Sequence, residues 1–342
     1  MKLAVIIPLY NGGAWISETL NSVYTQRQKP DEVAVVDDGS IDDALNIIAA
    51  HFPSVLRLKN NGKGSSLARN VGIKNTCSPY LSFLDQDDLW HPNHLRNLSS
   101  ILDDNPNVDC VVASAHCFSG QMPLYSETIQ NIEIFDPWAN FPFTMGVEGP
   151  SVAIFRRDFL MKSGLWQAEG TGMGDILLFL KVSAKGPILR TSAVTVGKRI
   201  HSQQQWLHVR ADPGAYMRRR MAVTQLALEF RKSINPAIAI NEVFERRWKA
   251  LQVLTALAEV ECNGNLAEVP AIAMSLEKLL DAQVCRHAFY CLMGALFPVH
   301  DVNRLKELRD RSFERLLKVW PSSAPMTRTV LASLIGEQPI VS

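Results

Sequence analysis

The first 115 residues alternate between short apolar runs and segments whose apolar side chains recur at helical spacing. Runs such as LAVIIP (3–8) and EVAVV (32–36) are almost wholly apolar, as strands buried on both faces are. In chain order the pattern predicts strands at 3–8, 32–36, 54–58, 80–84 and 108–113, with helices at 14–25, 42–51, 65–75 and 93–103. Strands and helices that alternate in this way form βαβ units. We therefore predict an α/β fold with a Rossmann-like, mostly parallel sheet.

The pattern changes twice further along the chain. Residues 119–145 are rich in Pro, Asn and aromatic residues and are predicted to be irregular. Strand and helix patterns return over 150–196, and from about residue 208 only helical patterns remain. These helices are predicted at 214–232, 242–262, 266–282, 285–297 and 302–320. The chain is thus expected to contain an α/β domain over 1–207 and an all-helical C-terminal region over 208–342.

Composition excludes several classes of function. The 35 Lys and Arg residues nearly cancel the 34 Asp and Glu residues, so no overall field favours nucleic acid. The chain has no apolar stretch long enough to span a membrane, and it begins with a strand pattern rather than a leader. The six cysteines have neither metal-ligand spacing nor the density of a disulfide framework. We expect a cytoplasmic protein, and peripheral contact with the inner face of a membrane stays open.

Acidic clusters follow two of the predicted strands. VVDDGS (35–40) ends the second strand, and FLDQDD (83–88) ends the fourth. Each cluster alone is also typical of a turn or of a helix N-terminus. Because the carboxyl ends of parallel strands meet at one edge, where ligands bind, the two clusters together favour a binding site. Like charges there require donors, protonation or a cation, and Mg²⁺ and Mn²⁺ take carboxylates together with phosphate oxygens.

Four segments stand at fixed intervals around these strand ends. They are VIIPLYNGGAWISETLNSVYTQ (5–26), VVDDGSIDD (35–43), NNGKGSSLARNVGI (60–73) and YLSFLDQDDLWHP (80–92). In this order and spacing they resemble the family 2 glycosyltransferases, which have the GT-A fold, over roughly residues 1–205. The resemblance implies a nucleotide-binding half at about 1–115 and an acceptor half at about 116–207. It also implies transfer of a sugar from a nucleotide diphosphate sugar, usually UDP-linked, to an acceptor hydroxyl with inversion at the anomeric carbon.

The resemblance further implies which residues bind the nucleotide. By position they are Pro8, Tyr10, Asn11, Asp37, Asp38, Lys63, Gly64, Arg69, Asn70 and Asp85. Asp38 matches the acid that contacts the base, and Asp85 matches the acid directed toward the ribose. Asp87 matches the residue that faces a metal, Mg²⁺ or Mn²⁺, which bridges the diphosphate. Asp88 is interpreted as a cap of the helix that begins near Pro92.

The second half of the resemblance supplies a candidate base. GTGMGDILLFLKVSAKG (170–186) is similar to the stretch that carries the family's catalytic carboxylate, which makes Asp175 the predicted general base. Gly174 stands where the family usually has Glu, which is a departure from the pattern. A helix-capping role for Asp175 stays open, and Glu169 is the second candidate for the base.

Basic residues follow in two groups. GKRIHSQQQW (197–206) resembles a family segment that implies Arg199 at the diphosphate and His201 at the metal or a phosphate. In the helical region, the three arginines at 218–220 either contact an anionic lipid or acidic acceptor or form an ordinary solvated face.

The expected partners follow from the resemblance. They are a nucleotide-sugar donor and a saccharide, lipid-linked or protein acceptor, without nucleic acid, and the helical region could support oligomerisation. Two alternative functions are an inactive homologue that acts as a scaffold and a sugar nucleotidyltransferase. The second requires an arginine in the glycine-rich loop after the first strand, and PLYNGGAW has none.

Overall fold

The computed structural model describes residues 1–120, 123–139, 141, 149–167, 173–204, 213–234, 242–281, 284–286, 288 and 302–333. The chain forms two compact units. The first comprises Met1–Pro137, Val147–Gly170 and Gly174–Ile200; the second comprises Trp138–Gly146, Thr171–Met173 and His201–Ser342. The domain boundary predicted at residue 207 falls outside the described residues.

The first unit is an α/β structure, as predicted. Its strands are β1 Leu3–Leu9, β2 Glu32–Asp37, β3 Leu56–Lys59, β4 Tyr80–Phe83, β5 Leu89–Trp90, β6 Cys110–Phe118, β7 Ile132–Phe135, β8 Ala153–Arg156 and β9 Ile188–Arg199. Its helices are α1 Ile16–Tyr24, α2 Ala44–His51, α3 Ser65–Lys74, α4 His94–Asp104, α5 Arg157–Lys162 and α6 Gly174–Lys185.

One mixed sheet organises this unit. Its strand order is β3-β2-β1-β4-β8-β6-β9-β5, and β7 also pairs with β9. The run from β3 to β4 is parallel, and so is the β6–β9 pair, whereas β8 lies antiparallel between β4 and β6. Every residue of β1 is buried, which accounts for its continuous apolar sequence. The carboxyl ends of β1, β2 and β4 therefore meet at one edge, and each leads into a polar loop.

Helix α3 lies unusually close to the sheet. A Cβ added at Gly72 would stand 2.4 Å from Cγ2 of Ile6 in β1, so only glycine allows this approach. Gly72 is one turn beyond Arg69 on the same helix. The close packing thereby fixes the position of Arg69 at the carboxyl edge of the sheet.

The described part of the segment predicted as irregular contains a strand. The short strand β7 pairs antiparallel with β9, and Ser126 makes an isolated bridge to Val194. Four residues among Pro, Asn and aromatic neighbours carry too little periodicity to indicate a strand from the sequence.

The described part of the second unit is helical. Its helices are α7 Pro213–Ile234, α8 Glu242–Asn263, α9 Val269–Leu279, α10 Val302–Val319 and α11 Pro325–Ser333. Most of the helix predicted at 285–297 lies outside the described residues. In α8, Phe244, Leu251, Leu254 and Ala258 recur at intervals of three, four or seven and are buried, as in an amphipathic helix. None of the described helices combines the length and apolar character needed to cross a membrane.

The arginine triplet in α7 is not a single charged face. Arg218 forms an ion pair with Glu259 of α8. Arg220 is buried, and its Nη1 donates a hydrogen bond of 3.2 Å to the hydroxyl of Tyr216. Two of the three arginines therefore stabilise the helical unit itself.

Candidate active site

The acids that follow β4 are neutralised from within the protein. Lys198, at the end of β9, donates to Asp85 Oδ2 at 3.0 Å and to Asp88 Oδ2 at 2.6 Å. Asp88 is 1% exposed and also accepts a 2.7 Å hydrogen bond from Ser151 Oγ. The sequence analysis identified the neighbouring Arg199 but missed Lys198. The cation between these two carboxylates is thus a lysine of the same chain.

The two carboxylates respond differently to this environment. Burial raises the pKa of Asp88, and the charges of Asp87 and Asp85 raise it further against the opposing effect of Lys198. Burial also favours the neutral form of Asp85, but the charges of Lys198 and Arg69 outweigh it and hold the pKa of Asp85 well below its usual range. Asp85 is accordingly the firmly ionised member of the pair.

Arg69 connects the loop after β4 with helix α6. Its Nη2 donates to Asp85 Oδ1 at 2.6 Å, and its Nη1 donates to Asp175 Oδ1 at 3.1 Å. The Arg69 side chain is 3% exposed. Burial lowers the pKa of Arg69, but the negative charges of Asp175 and Asp85 outweigh this effect and raise the pKa overall. The predicted nucleotide acid and the predicted base, ninety positions apart in the sequence, therefore bind the same guanidinium.

Asp175 lies in the first turn of α6, with 34% of its side chain exposed. Besides Arg69, its Oδ1 accepts a 2.8 Å hydrogen bond from Nε1 of Trp166. These bonds go to other elements and not to the first N–H groups of α6, which distinguishes Asp175 from a helix cap. Glu169, the second candidate for the base, lies outside the described residues.

The Asp-Asp-Gly-Ser turn after β2 uses neutral donors instead of cations. Asp38 accepts hydrogen bonds from the backbone N–H of Gly64 at 2.8 Å and from Nδ2 of Asn60 at 2.6 Å. Gly64 has φ +97°, a left-handed conformation that favours glycine, and this turns its N–H toward Asp38. Asp37 is buried, and its Oδ1 accepts from the N–H of Ser40 at 2.9 Å. Asp37 closes the turn, and Asp38 holds the loop that leads into α3.

The end of β1 is tied to both acidic loops. The side-chain amide of Gln86 bonds to the N–H and C=O of Tyr10, at 2.7 and 2.9 Å. Asn11, with φ +49°, accepts through Oδ1 from the N–H of Ile41. The Tyr10 side chain is 56% exposed, whereas Pro8 is buried within β1. Of these predicted residues, Tyr10 is the one that offers a large surface at the edge.

Two further predicted nucleotide residues differ in their surroundings. Both polar atoms of the Asn70 amide bond to the backbone of Trp166, at 2.6 Å to its C=O and 3.2 Å to its N–H. In this structure Asn70 therefore positions Trp166. Lys63 is exposed in the loop before α3.

Arg199 lies beside Asp87. Its Nε donates to the backbone C=O of Asp87 at 3.0 Å, and its Nη2 stands 2.5 Å from a carboxylate oxygen of Glu18 on α1. The guanidinium also lies 4.8 Å from the centre of the Phe118 ring. His201 belongs to the second unit, where its Nδ1 accepts from the N–H of Gln203 at 3.3 Å. The metal role of His201 stays a prediction.

The residues present fit a metal that binds together with a phosphate ligand. In the described ranges no group of three or more His, Cys, Asp or Glu side chains could hold an ion. Two carboxylates of the loop after β4 already bind Lys198, and Asp85 also binds Arg69. Asp87, which is partly exposed, would contribute a carboxylate oxygen to such an ion, and diphosphate oxygens would supply further ligands.

Known glycosyltransferases share part of this sequence. Residues 4–164 match the model of Glycosyl transferase family 2. An uncharacterized glycosyltransferase of Rickettsia prowazekii is 34% identical over 110 residues, which are 32% of this chain and 35% of the relative. Poly(ribitol-phosphate) beta-N-acetylglucosaminyltransferase TarP of Staphylococcus aureus is 35% identical over 117 residues, which are 32% of this chain and 36% of TarP. The matched part thus spans about a third of the length of these two relatives.

Solved structures agree with this fold. The crystal structure of S. aureus TarS 1-349 has a TM-score of 0.56 and 18% identity, and the alignment covers 98% of this chain and 91% of TarS. A second TarS structure, in complex with UDP-GlcNAc, gives the same values. At this identity the likeness shows the fold, a GT-A α/β domain followed by a helical region. Residues 4–164 thus carry the sequence pattern of Glycosyl transferase family 2.

Proposed function

We propose that the protein transfers a sugar from a nucleotide diphosphate sugar to an acceptor hydroxyl with inversion at the anomeric carbon. The family supports sugar transfer in general. The observation that carries the proposal is the Arg69 guanidinium, which binds Asp85 and Asp175 at 2.6 and 3.1 Å. An acid at the nucleotide edge and a partly exposed carboxylate from the other half of the domain thereby share one site. That juxtaposition suits a donor on one side and an acceptor on the other.

The donor is assigned to the carboxyl edge of the sheet. Asp38 and the loop it holds would contact the base, and Asp85 the ribose. Asp87 would face a Mg²⁺ or Mn²⁺ ion that offsets the charge on the leaving diphosphate. Arg199, now paired with Glu18, is the side-chain cation that we assign to the same diphosphate. A UDP-linked sugar is the first donor to test, because TarS structures contain UDP-GlcNAc and UDP.

The base is assigned to Asp175. The acceptor hydroxyl gives its proton to the carboxylate as its oxygen attacks the anomeric carbon, and the bond from that carbon to the diphosphate breaks in the same step. A single displacement of this kind inverts the configuration. Asp175 Oδ1 already accepts two hydrogen bonds, so Oδ2 is the atom to receive the proton.

The base assignment is tested with Asp175→Asn. We expect the rate of transfer to fall by about two to four orders of magnitude, the usual contribution of a positioned base. The affinity for UDP with Mn²⁺, measured by titration calorimetry, should be unchanged because no donor contact is removed. Transfer at the wild-type rate would contradict the assignment, and Glu169→Gln would then be the variant to examine. A wild-type protein that binds nucleotide sugars but transfers none to saccharide, lipid-linked or protein acceptors would favour the scaffold alternative.

The metal assignment is tested with Asp87→Ala. We expect Mn²⁺ to increase UDP affinity in the wild type and to have no effect in the variant. In the absence of nucleotide, neither protein should bind Mn²⁺ tightly, because Lys198 already neutralises Asp85 and Asp88. Asp103→Ala, which removes an exposed carboxylate from α4, is the matched control. Equal UDP affinity for wild type and Asp87→Ala in Mn²⁺ would contradict the assignment.

A further inference from the structure

Trp166 is a second donor to the proposed base. Its side chain is buried, and its indole Nε1 donates to Asp175 Oδ1 at 2.8 Å. The same oxygen accepts from Nη1 of Arg69 at 3.1 Å. Within the part of the chain that the structure describes, Oδ2 of Asp175 has no hydrogen-bond partner. Two donors on one oxygen distinguish the two carboxylate atoms, which are otherwise equivalent.

Trp166 is itself held from several directions. The Asn70 amide bonds to both its backbone N–H and its C=O. Its ring packs edge-to-face on Phe83 of β4, with ring centres 4.5 Å apart, and the Arg69 guanidinium lies 5.4 Å from the ring centre. Residues of α3 and β4 therefore fix where the indole N–H points.

The turn before Trp166 is also specialised. Gly164 has φ +90°, and Leu165 has φ +55°, a left-handed conformation that is uncommon for a non-glycine residue. Two consecutive residues with positive φ therefore stand between α5 and Trp166, whose indole reaches Asp175. Such a conformation persists when surrounding contacts over-determine it, and the Asn70 amide and Phe83 ring supply those contacts.

Gly174 leaves space for this arrangement. A Cβ added there would stand 2.5 Å from Ser66 Oγ and 3.5 Å from Cδ1 of Trp166. A Cβ at position 174 would therefore require the Ser66 hydroxyl to move, whereas its distance from the indole is an ordinary van der Waals contact. The glycine at this position, the departure noted in the sequence, is compatible with an indole N–H as the partner of the neighbouring carboxylate.

We propose that Trp166 is a positioning residue that, with Arg69, holds Oδ1 of Asp175 so that Oδ2 alone faces the acceptor hydroxyl. The inference rests on the proposed role of Asp175 as general base. The two hydrogen bonds would fix the plane of the carboxylate and define which oxygen accepts the proton. Small misplacements of reacting groups can cost about a hundredfold in rate.

The test is a double-mutant cycle of Trp166→Phe and Asp175→Asn. Phenylalanine keeps an aromatic ring and removes the N–H donor. We expect Trp166→Phe to lower kcat by about ten- to a hundredfold, with KM for donor and acceptor and the UDP affinity nearly unchanged. In the Asp175→Asn background, Trp166→Phe should cause no further loss, because both changes act through one carboxylate.

A matched control separates positioning from a general effect on folding. Trp320→Phe removes another buried indole whose Nε1 donates to Thr327 at 3.2 Å, in the second unit, and should leave kcat unchanged. If Trp166→Phe does not fold, benzothienylalanine at position 166 keeps the ring size and removes only the N–H. Equal losses from Trp166→Phe in both backgrounds would overturn the inference. Wild-type transfer by Asp175→Asn would instead overturn the proposed base itself.

Discussion

The two acidic loops at the carboxyl edge of the sheet, after β2 and after β4, stabilise their carboxylates with different kinds of hydrogen-bond donor. After β2, Asp38 accepts from a backbone N–H and from the amide of Asn60, both of which are neutral. After β4, Asp85 and Asp88 bind Lys198, and Asp85 binds Arg69 as well. One loop therefore retains its negative charge, and the other is compensated by cations from β9 and α3.

The difference indicates how each loop can treat a ligand. A carboxylate held by neutral donors keeps its full attraction for the N–H or O–H groups of a base or ribose. A carboxylate that is paired with a cation of the protein attracts a free metal ion only weakly. A metal ion would therefore bind here together with anionic ligands such as phosphate oxygens. The contrast between the loops is thus a division between a site for neutral polar groups and a site for a metal–diphosphate.

Removing the cation from the second loop is expected to have the largest effect. Lys198→Met leaves Asp85 and the buried Asp88 facing each other, and should lower the free energy of unfolding by about 3–5 kcal/mol, as measured by urea denaturation at pH 7. Mn²⁺ alone should then raise the unfolding midpoint of the variant but not of the wild type. The reason is that the carboxylate pair, without its lysine, would resemble an ordinary cation site.

Two controls sharpen that result. Lys74→Met removes an exposed lysine from α3 and should change the stability by less than about 0.5 kcal/mol. Adding Asp88→Asn to Lys198→Met removes one of the unpaired charges and should restore part of the lost stability. If Lys198→Met were as stable as the wild type, the two loops would not differ in the way described.

Changing the first loop is expected to have a moderate effect. Asp38→Asn keeps the shape of the side chain, but its NH₂ group must face either the N–H of Gly64 or the amide of Asn60, so one hydrogen bond is lost. We expect a loss of about 1–2 kcal/mol in urea denaturation, without any response to Mn²⁺. A loss as large as that of Lys198→Met, or stabilisation of the variant by Mn²⁺, would contradict the comparison.

Much of this edge could be predicted because its signals are local in sequence. The strand of continuous apolar residues and the acids directly after it are each contained in a few positions, and the α/β fold predicted from them is confirmed. Since parallel strands align their carboxyl ends, the proximity of the two loops follows from topology alone.

The partners of the acids could not be predicted in this way. Lys198 is 113 positions from Asp85, and no local pattern relates β9 to the loop after β4. Trp166 is only nine positions from Asp175, but their contact depends on the left-handed turn at Leu165, which propensity disfavours. The pairing of Lys198 with the acids and the hydrogen bond from Trp166 therefore required the tertiary structure to be identified. The roles assigned to Asp87 and His201 stay predictions.

A third carboxylate, Glu32, shows how neutral hydrogen-bond donors alter the pKa of an acid that has no cation bonded to it in the described part of the chain. Glu32, at the start of β2, accepts from the N–H groups of Cys77 and Ser78 and, at 2.5 Å, from the Ser78 hydroxyl. Burial favours its neutral form, but these hydrogen bonds, with a smaller contribution from the charge of Arg157, outweigh it and lower the pKa of Glu32. A carboxylate whose pKa is lower in the folded than in the unfolded protein stabilises the fold above its unfolded pKa, and this stabilisation is lost as the pH falls through the folded value.

Glu32→Gln should accordingly have the smallest effect and a pH dependence of defined sign. At pH 7 we expect the wild type to exceed the variant by about 1 kcal/mol in free energy of unfolding. The difference should begin to shrink below the ordinary glutamate pKa of about 4.3 and disappear under more acidic conditions. Urea denaturation at a series of pH values from 7 to 3 measures it. Ser78→Ala removes one donor and should shift the decline to higher pH. A wild-type advantage that stays constant down to pH 3 would mean that these donors do not favour the ionised form of Glu32.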